Sequence, residues 1–218
     1  MKKSFIVIGL GRFGSNIAKA LVDMNLEVLA IDISAESVNS VAKKVPHCFV
    51  ADATKIDVLT ELGAQTIDHA VIAIGNNLQA SILTIVNLKT IGVKRITVRA
   101  DFEEHRELYM RLGADEVIVP EEASAVSLAN QINSDSILDY YIISEDYVMV
   151  KISVGQNFNA KSLIELDIRN NFDVNVVGII REGAGFFIPR GTDKLVPGDV
   201  VVVAGKKPNI RRFDTFLN

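Results

Sequence analysis

Through its first 120 residues the chain alternates short runs rich in Val and Ile with stretches whose apolar residues recur at helical spacing. Within most of these runs apolar and polar residues do not alternate, which is typical of parallel strands buried on both faces of a sheet. Strands that alternate with helices in this way predict an α/β fold with right-handed crossovers. The predicted strands are Phe5–Gly9, Val28–Asp32, Cys48–Ala51, Ala70–Ile74, Arg95–Arg99 and Glu116–Val119.

The pattern changes after Asp135. Every second residue from Val148 to Val154 is Val or Ile, which predicts a half-buried strand of an antiparallel sheet. Further strands are predicted at Val174–Ile180, Phe186–Ile188 and Val200–Ala204, and short helices at about 160–166 and 207–216. We therefore expect a parallel-sheet domain at residues 1–135 and a small α+β domain at residues 136–218, with the boundary near 135–140.

A glycine motif stands between the first predicted strand and the first predicted helix. Its sequence is Gly9-Leu10-Gly11-Arg12-Phe13-Gly14, and the acid Asp32 ends the next strand. This is the dinucleotide-binding fingerprint of Rossmann-like folds. Gly9 permits the turn, Gly11 lets phosphates approach the backbone and the helix N-terminus, and Gly14 lets helix and strand pack closely. Asp32 is expected to accept ribose hydroxyls and to repel a 2′-phosphate, which disfavours NADP.

Other polar residues follow the same edge of the predicted sheet. Arg12 stands at the mouth of the phosphate site, where a guanidinium would pair with a terminal phosphate or remain in solvent. The segment Asp52-Ala53-Thr54 follows the third strand, and Gly75-Asn76-Asn77 follows the fourth. Ligands bind at the carboxyl ends of parallel strands, so Asp52 is a candidate contact to the base. Asn76 is a candidate ligand contact or a helix cap.

The sequence offers no recognisable catalytic set. His47 and His69 precede strands, away from the ligand edge, and His105 falls in a helix of mixed charge. Each is expected to be structural or exposed. There is one cysteine, Cys48, which starts an apolar run and is expected to be a buried small hydrophobe. A catalytic Ser/His/Asp set and a Cys/His metal cluster are both absent from the sequence, so we expect a protein that is not an enzyme.

Composition narrows the setting. The net charge of −4 argues against a nucleic-acid partner, which would favour a basic surface. The single cysteine suits a reducing compartment. Arg12 interrupts the apolar run near the N-terminus, so a signal peptide is not expected. We expect a cytoplasmic protein.

Several segments together resemble a known family. These are the glycine motif, Ala51-Asp52-Ala53-Thr54, the run from Ala73 to Ser81, Gly113-Ala114-Asp115 leading to Pro120-Glu121, and Leu195-Val196-Pro197-Gly198-Asp199. They are similar to the regulatory subunits of the bacterial Ktr/Trk potassium-uptake systems, whose chain is an RCK domain with a Rossmann N-lobe and a small C-lobe. The resemblance covers essentially the whole chain and is closer to the Ktr type.

The resemblance implies binding of ATP or ADP in the N-lobe, with NAD or NADH as alternatives. It matches Arg12 to a phosphate contact, Asp32 to the ribose acid, and Glu121 to an acid linked to a divalent cation, Mg or Ca. Arg99 stands where the family commonly has lysine. The candidate nucleotide-site residues are Gly9, Gly11, Arg12, Phe13, Gly14, Asp32, Asp52, Ala53, Thr54, Ile74, Gly75, Asn76, Arg99 and Glu121.

The resemblance also implies a second ligand, since in several members the C-lobe binds cyclic di-AMP between two subunits. The matching residues are Leu163, Ile164, Asp167, Arg169, Asn175 and Pro189. A histidine that is common just before this proline is Ile188 here. From spacing alone, the segment Ile168-Arg169-Asn170 fits a charged turn equally well.

Assembly is the last implication of the resemblance: homodimers that form an octameric ring on the cytoplasmic face of a membrane potassium transporter and gate it. Independently, the helix around Gln79–Ile91 is apolar on nearly every face, so one face is available to another subunit. Two alternatives remain open, an NAD-dependent Rossmann oxidoreductase and a redox-sensing transcriptional regulator. Turnover with NADH or sequence-specific DNA binding would distinguish them.

Overall fold

The computed structural model describes residues 2–218, and their contacts divide the chain into two units. The first ends at Glu121 and the second begins at Glu122. This division falls earlier than the predicted boundary near 135–140. It lies inside helix α6 (Pro120–Ile132), whose residues from Glu122 onward belong to the second unit, where the Ser127 hydroxyl donates to the Tyr140 carbonyl at 2.9 Å.

A six-stranded parallel sheet forms the centre of the first unit, with strand order β3-β2-β1-β4-β5-β6. The strands are β1 (Ser4–Ile8), β2 (Glu27–Asp32), β3 (His47–Val50), β4 (His69–Ile72), β5 (Arg95–Arg99) and β6 (Glu116–Ile118). The helices between them are α1 (Arg12–Asp23), α2 (Ala35–Val41), α3 (Ile56–Glu61), α4 (Leu78–Thr90) and α5 (His105–Arg111). The predicted α/β class and the six predicted strands are confirmed.

The sheet of the first unit is buried on both faces at its centre. Along β1, Ile6 and Ile8 pack into the apolar cluster on one face, while Val7 packs into the cluster on the other. This explains the absence of alternation in the sequence. The edge strand β3 differs, because Phe49 and Val50 are 46% and 57% exposed. The prediction of two buried faces is wrong for β3, and Cys48 is half-buried rather than buried.

Helix α4 buries one face in the core and leaves apolar side chains exposed on another. Ile85 and Leu88 are buried in the core, whereas Leu83 and Val86 remain substantially exposed. The exposed pair lies on the side of α4 that the first unit does not cover.

The second unit is built on a five-stranded antiparallel sheet with strand order β11-β10-β13-β8-β7. Its strands are β7 (Ile137–Ile142), β8 (Tyr147–Ser153), β9 (Lys161–Ser162), β10 (Val174–Arg181), β11 (Gly185–Phe187), β12 (Lys194–Leu195) and β13 (Val200–Lys206), with β9 and β12 forming a separate pair. The helices are α7 (Leu163–Leu166), α8 (Ile168–Phe172) and α9 (Lys207–Leu217). This confirms the predicted α+β character.

One face of this sheet carries the core of the second unit. Val148, Val150 and Ile152 of β8 are fully buried, as their alternation predicts, and pack with Ile210 and Phe213 of α9. Strand β7 was not predicted, because its apolar residues do not alternate. The segment at 168–170, which fits a charged turn from spacing, lies in α8.

A buried ion pair ties the last strands of the second unit together. The Asp199 carboxylate is 1% exposed and accepts two hydrogen bonds of 2.7 Å from the Arg181 guanidinium. It also accepts the Val196 backbone N–H at 2.9 Å. A buried carboxylate needs such partners, so loss of Arg181 would leave the Asp199 charge buried without its cation.

Candidate functional site

A cleft of about 820 Å³ opens at the carboxyl ends of the parallel strands in the first unit. It lies where the strand order reverses between β1 and β4, which is where ligands bind in open α/β sheets. Thirteen of the fourteen candidate nucleotide-site residues line it: Gly9, Gly11, Arg12, Phe13, Asp32, Asp52, Ala53, Thr54, Ile74, Gly75, Asn76, Arg99 and Glu121. The exception is Gly14.

The three motif glycines have different structural roles. A Cβ on Gly14 would lie 1.9 Å from the Gly9 carbonyl oxygen, so this glycine is needed for close packing behind the cleft. Gly9 has a φ of +91°, and a Cβ there would lie 2.8 Å from the Ala73 oxygen. A Cβ on Gly11, in contrast, would meet nothing within 4 Å. Packing does not require glycine at position 11, and the open space beside it is the cleft.

The N-terminus of α1 opens into the cleft. Gly11 is its N-cap residue and provides no side-chain cap, and the first turn contains no acidic residue. The first backbone N–H groups of the helix therefore keep their hydrogen-bonding capacity and the positive end of the helix dipole. The Arg12 side chain is exposed, and its guanidinium has no ion pair or hydrogen bond with residues 2–218. Together these groups form a site suited to phosphate.

Asp32 anchors the glycine loop. Its carboxylate accepts the Leu10 backbone N–H at 2.6 Å and the Ser34 backbone N–H at 2.7 Å. Each carboxylate oxygen can accept more than one hydrogen bond, so capacity remains for ligand hydroxyls. The sequence predicted only the ligand role, and the structure adds that Asp32 holds the backbone of the loop in place.

A second carboxylate lines the cleft after β3. Asp52 accepts hydrogen bonds from the Thr54 hydroxyl at 2.6 Å and from the Thr54 backbone N–H at 3.0 Å. The Thr54 side chain first, and then its backbone N–H, lower the pKa of Asp52. Asn87 of α4 donates to the Thr54 carbonyl at 2.9 Å and so ties this loop to the helix. Asp52 is therefore an ionised, fixed acceptor at neutral pH.

The turn after β4 forms the opposite wall of the cleft. Asn76 has a φ of 54°, and its backbone N–H donates to the Asp101 carboxylate at 2.8 Å. Asn77, not Asn76, is the N-cap of α4, since its side chain accepts the Ala80 N–H at 2.9 Å. The alternative role of Asn76 as a helix cap is therefore wrong.

Arg99 lies between two acids at the end of β5. One guanidinium nitrogen, Nη2, is 3.0 Å from Asp101 and 2.7 Å from Glu121. The centre of the guanidinium lies 6.0 Å from the centroid of the Phe13 ring. The described residues contain no group of three or more His, Cys, Asp or Glu side chains arranged to hold a metal ion.

The histidines lie away from the cleft. His47 and His69 are the first residues of β3 and β4, at the amino ends of the strands, and His105 starts α5. His69 bonds to the Thr97 hydroxyl at 2.8 Å, and burial lowers the pKa of its imidazole.

The candidate residues of the second unit lie on α7, on α8, on β10 and in the loops beside them. Arg169 donates from Nε to the Asn175 side-chain oxygen at 3.0 Å, which joins α8 to β10. Ile164 donates its backbone N–H to the Gly191 carbonyl at 2.9 Å, near Pro189. Leu163 packs against the core, and Asp167 has a φ of 42° between α7 and α8. Ile188 is largely exposed beside Pro189.

Comparison with known proteins gives full-length matches. A family model described as the TrkA-N domain matches residues 5–120, and one described as the TrkA-C domain matches residues 147–218. Ktr system potassium uptake protein C of Bacillus subtilis is 40% identical over 214 residues, covering 98% of this chain and 97% of that protein. The chain belongs to the Ktr family of potassium uptake proteins.

Two further Ktr proteins agree with this. Ktr system potassium uptake protein A of Bacillus subtilis is 35% identical over 212 residues, covering 97% of this chain and 96% of that protein. The protein A of Vibrio alginolyticus is 31% identical over 208 residues, covering 95% and 94%. The resemblance in the motifs is thus confirmed. These relatives are potassium uptake proteins and not enzymes, which confirms that expectation.

Solved structures show the same fold. The GsuK RCK domain matches with a TM-score of 0.68 at 15% identity, covering all of this chain and 48% of that one. The GsuK channel bound to NAD also gives 0.68, at 14% identity and 40% coverage of its chain. This Ktr-family chain therefore spans about half or less of those chains and shares the RCK fold. No helix within residues 2–218 is long and apolar enough to cross a membrane.

Some residues that line the cleft of this Ktr-family chain were not among the candidates. They are Ile8, Ile33, Ser37, Ala51, Ala73, Asn77 and Ala80. Five of the seven directly flank a candidate residue, so extending each motif by one residue finds them. Ser37 and Ala80 are the exceptions, because they belong to helices α2 and α4 and reach the cleft only through the fold.

Proposed function

We propose that this chain is a cytoplasmic, nucleotide-sensing regulatory subunit of a membrane potassium transporter, and that ATP and ADP bind in the cleft of the first unit. The observation that carries this is the cradle at the start of α1. There an uncapped helix N-terminus, an open glycine at Gly11 and the Arg12 cation, which has no ion-pair partner among the described residues, face one cleft. That combination of donors and positive charge is selective for phosphate groups.

The remaining walls suit the rest of a nucleotide. A volume of about 820 Å³ falls in the range of small-molecule sites. Asp32 is placed to accept ribose hydroxyls and would repel a 2′-phosphate, so NADP is disfavoured. NAD or NADH is the alternative ligand, because the solved relatives include a GsuK channel bound to NAD and a GsuK bound to ADP.

The phosphates set the regulatory signal. Arg12 lies at the mouth of the cradle, where a third phosphate of ATP would reach it and the shorter chain of ADP would not. A divalent cation, Mg or Ca, would bind at Glu121 only with phosphate oxygens completing its ligands, since one carboxylate is too few. The two nucleotides then favour two conformations through their difference in affinity, with no hydrolysis required.

A second ligand is proposed for the second unit. Arg169 is exposed and already fixed by Asn175, which prepares a guanidinium for a phosphate of cyclic di-AMP. Leu163, Ile164, Asp167 and Pro189 complete the proposed site, which two subunits share. Arg169→Ala should abolish cyclic di-AMP binding by the full chain in calorimetry. If the wild type does not bind at micromolar ligand, the second-messenger role is excluded and Ile188 accounts for the difference.

Assembly completes the proposal. Homodimers form an octameric ring that docks on the cytoplasmic face of the transporter. The exposed Leu83 and Val86 on α4 are apolar positions that contact with another subunit would cover. Analytical ultracentrifugation of the purified chain tests this, and a monomer at every concentration would exclude the ring.

An NAD-dependent oxidoreductase is the alternative function. The cleft lining contains no His, Cys, Tyr or Lys within the part of the chain described, and hydride transfer usually needs such a proton donor. The proposed function is tested by the nucleotide that co-purifies with the chain and by potassium flux in vesicles reconstituted with the transporter. ATP and ADP should change the flux differently. Turnover of NADH with a flux insensitive to both nucleotides would favour the oxidoreductase.

A further inference from the structure

Arg99 is the most constrained cation in the cleft. Its side chain is 17% exposed, and its buried Nε has no hydrogen-bond partner among the described residues. A Cβ on Gly75 would lie 3.0 Å from Nη1, so that nitrogen points along the turn that walls the cleft. Both of its ion pairs use Nη2, at 3.0 Å from Asp101 and 2.7 Å from Glu121.

The two acids are not equivalent. Asp101 is 21% exposed and also accepts the Asn76 backbone N–H, so it is fixed by the turn. Glu121 is 62% exposed, and Arg99 is its only ion-pair partner within residues 2–218. Releasing Glu121 into water costs little, because an exposed ion pair is worth little in free energy. Releasing Asp101 would also remove the acceptor that holds the turn.

We propose that Arg99 and Glu121 form a latch that nucleotide phosphate opens. This rests on the proposed function, because it assigns the regulation of the same cleft. The phosphates enter beside Phe13, whose ring lies 6.0 Å from the Arg99 guanidinium. A phosphate carries more charge than one carboxylate and offers several acceptor oxygens to the guanidinium. It displaces Glu121 from Arg99, while Asp101 keeps Arg99 in place.

The latch links cleft occupancy to α6. Glu121 is the second residue of α6, and the residues that follow it belong to the second unit. With the cleft empty, Glu121 ties this first turn to β5 through Arg99. With phosphate bound, the carboxylate is free and the tie between the two elements is lost. The first turn of α6 therefore reports whether a nucleotide is present.

The test is the affinity of the Glu121→Gln variant for ATP and for ADP. Calorimetry measures both in the presence of a chelator that removes divalent cations. Gln keeps the shape and removes the competing charge, so both nucleotides should bind tighter by about two- to fivefold, the range expected for one exposed ion pair. The matched control is Glu107→Gln. Its carboxylate pairs with Arg111 on α5, outside the cleft, and its loss should leave both affinities unchanged.

Two further measurements make the test decisive. In an Arg99→Gln background, Glu121→Gln should not change nucleotide affinity further, because the guanidinium for which carboxylate and phosphate compete is absent. Adenosine, which has no phosphate, should bind all variants equally. Unchanged or weaker nucleotide binding by Glu121→Gln overturns the latch, and so does an equal gain in the Arg99→Gln background. If the wild type binds neither nucleotide, the proposed function itself fails, which is a distinct result.

Discussion

Replacing Asp32 by Asn should weaken both the fold of the glycine loop and nucleotide binding. The carboxylate accepts two backbone N–H groups, at 2.6 Å from Leu10 and 2.7 Å from Ser34. An amide has one acceptor oxygen, so its NH₂ group must face one of these donors. Hydrogen bonds to a charged group contribute about 1.5–3 kcal/mol each, so we expect the free energy of unfolding to fall by about 2–3 kcal/mol.

Nucleotide affinity should fall in the same variant, because the ribose loses a charged acceptor and the phosphate loop loses its anchor. A loss of about 1–3 kcal/mol corresponds to a dissociation constant for ADP that is larger by about fivefold to 150-fold. Urea unfolding and calorimetry measure the two effects on one preparation. Asp23→Asn is the control, since its exposed carboxylate pairs with Lys44 and with no other cation in the described part of the chain. Normal stability and normal ADP affinity in Asp32→Asn would refute the reasoning.

Three further predictions concern packing, pH and the buried ion pair. Gly11→Ala should fold normally but bind ATP weakly, because its Cβ meets no protein atom and would occupy the cleft. Gly14→Ala should lower stability, because its Cβ would meet backbone atoms of Gly9. Thermal melts measure the loss of stability, and calorimetry measures the loss of binding. Burial lowers the pKa of His69 below its usual 6.5, so protonation favours the unfolded chain. The free energy of unfolding should therefore decrease as the pH is lowered below about 6.5. In His69→Gln the midpoint of urea unfolding should decrease less over the same pH range. Arg181→Ala should cost about 3 kcal/mol in denaturant unfolding, because it leaves the Asp199 carboxylate buried without its cation; an unchanged midpoint would be inconsistent with the pair.

The sequence predicts the parts of this fold that depend on local pattern. The six parallel strands were found because a strand buried on both faces has a continuous Val and Ile run, as in β1 and β4. The half-buried β8 was found because its side chains alternate between core and solvent. Strand β7 lacks either pattern, since both its faces are partly exposed, and only its pairing with β8 makes it a strand.

The candidate site was predictable to the extent that it follows strand ends. Gly9, Asp32 and Asp52 all stand where a strand gives way to a loop, so their meeting at one edge follows from parallel topology. Partners within the site were not predictable. The bonds from Leu10 and Ser34 to Asp32, and the pairing of Arg99 with Glu121, join residues that sequence spacing does not relate.

The central claim is that the cleft senses adenine nucleotides through their phosphates, and paired calorimetry of ATP and ADP with the wild-type chain and Arg12→Ala tests it most directly. The wild type should bind both nucleotides with different affinities. Arg12→Ala should weaken ATP and leave ADP nearly unchanged, because Asp32 and the glycine loop still hold the part that the two share. Equal losses would make Arg12 a general phosphate contact. A wild-type chain that binds neither ATP nor ADP would contradict the account.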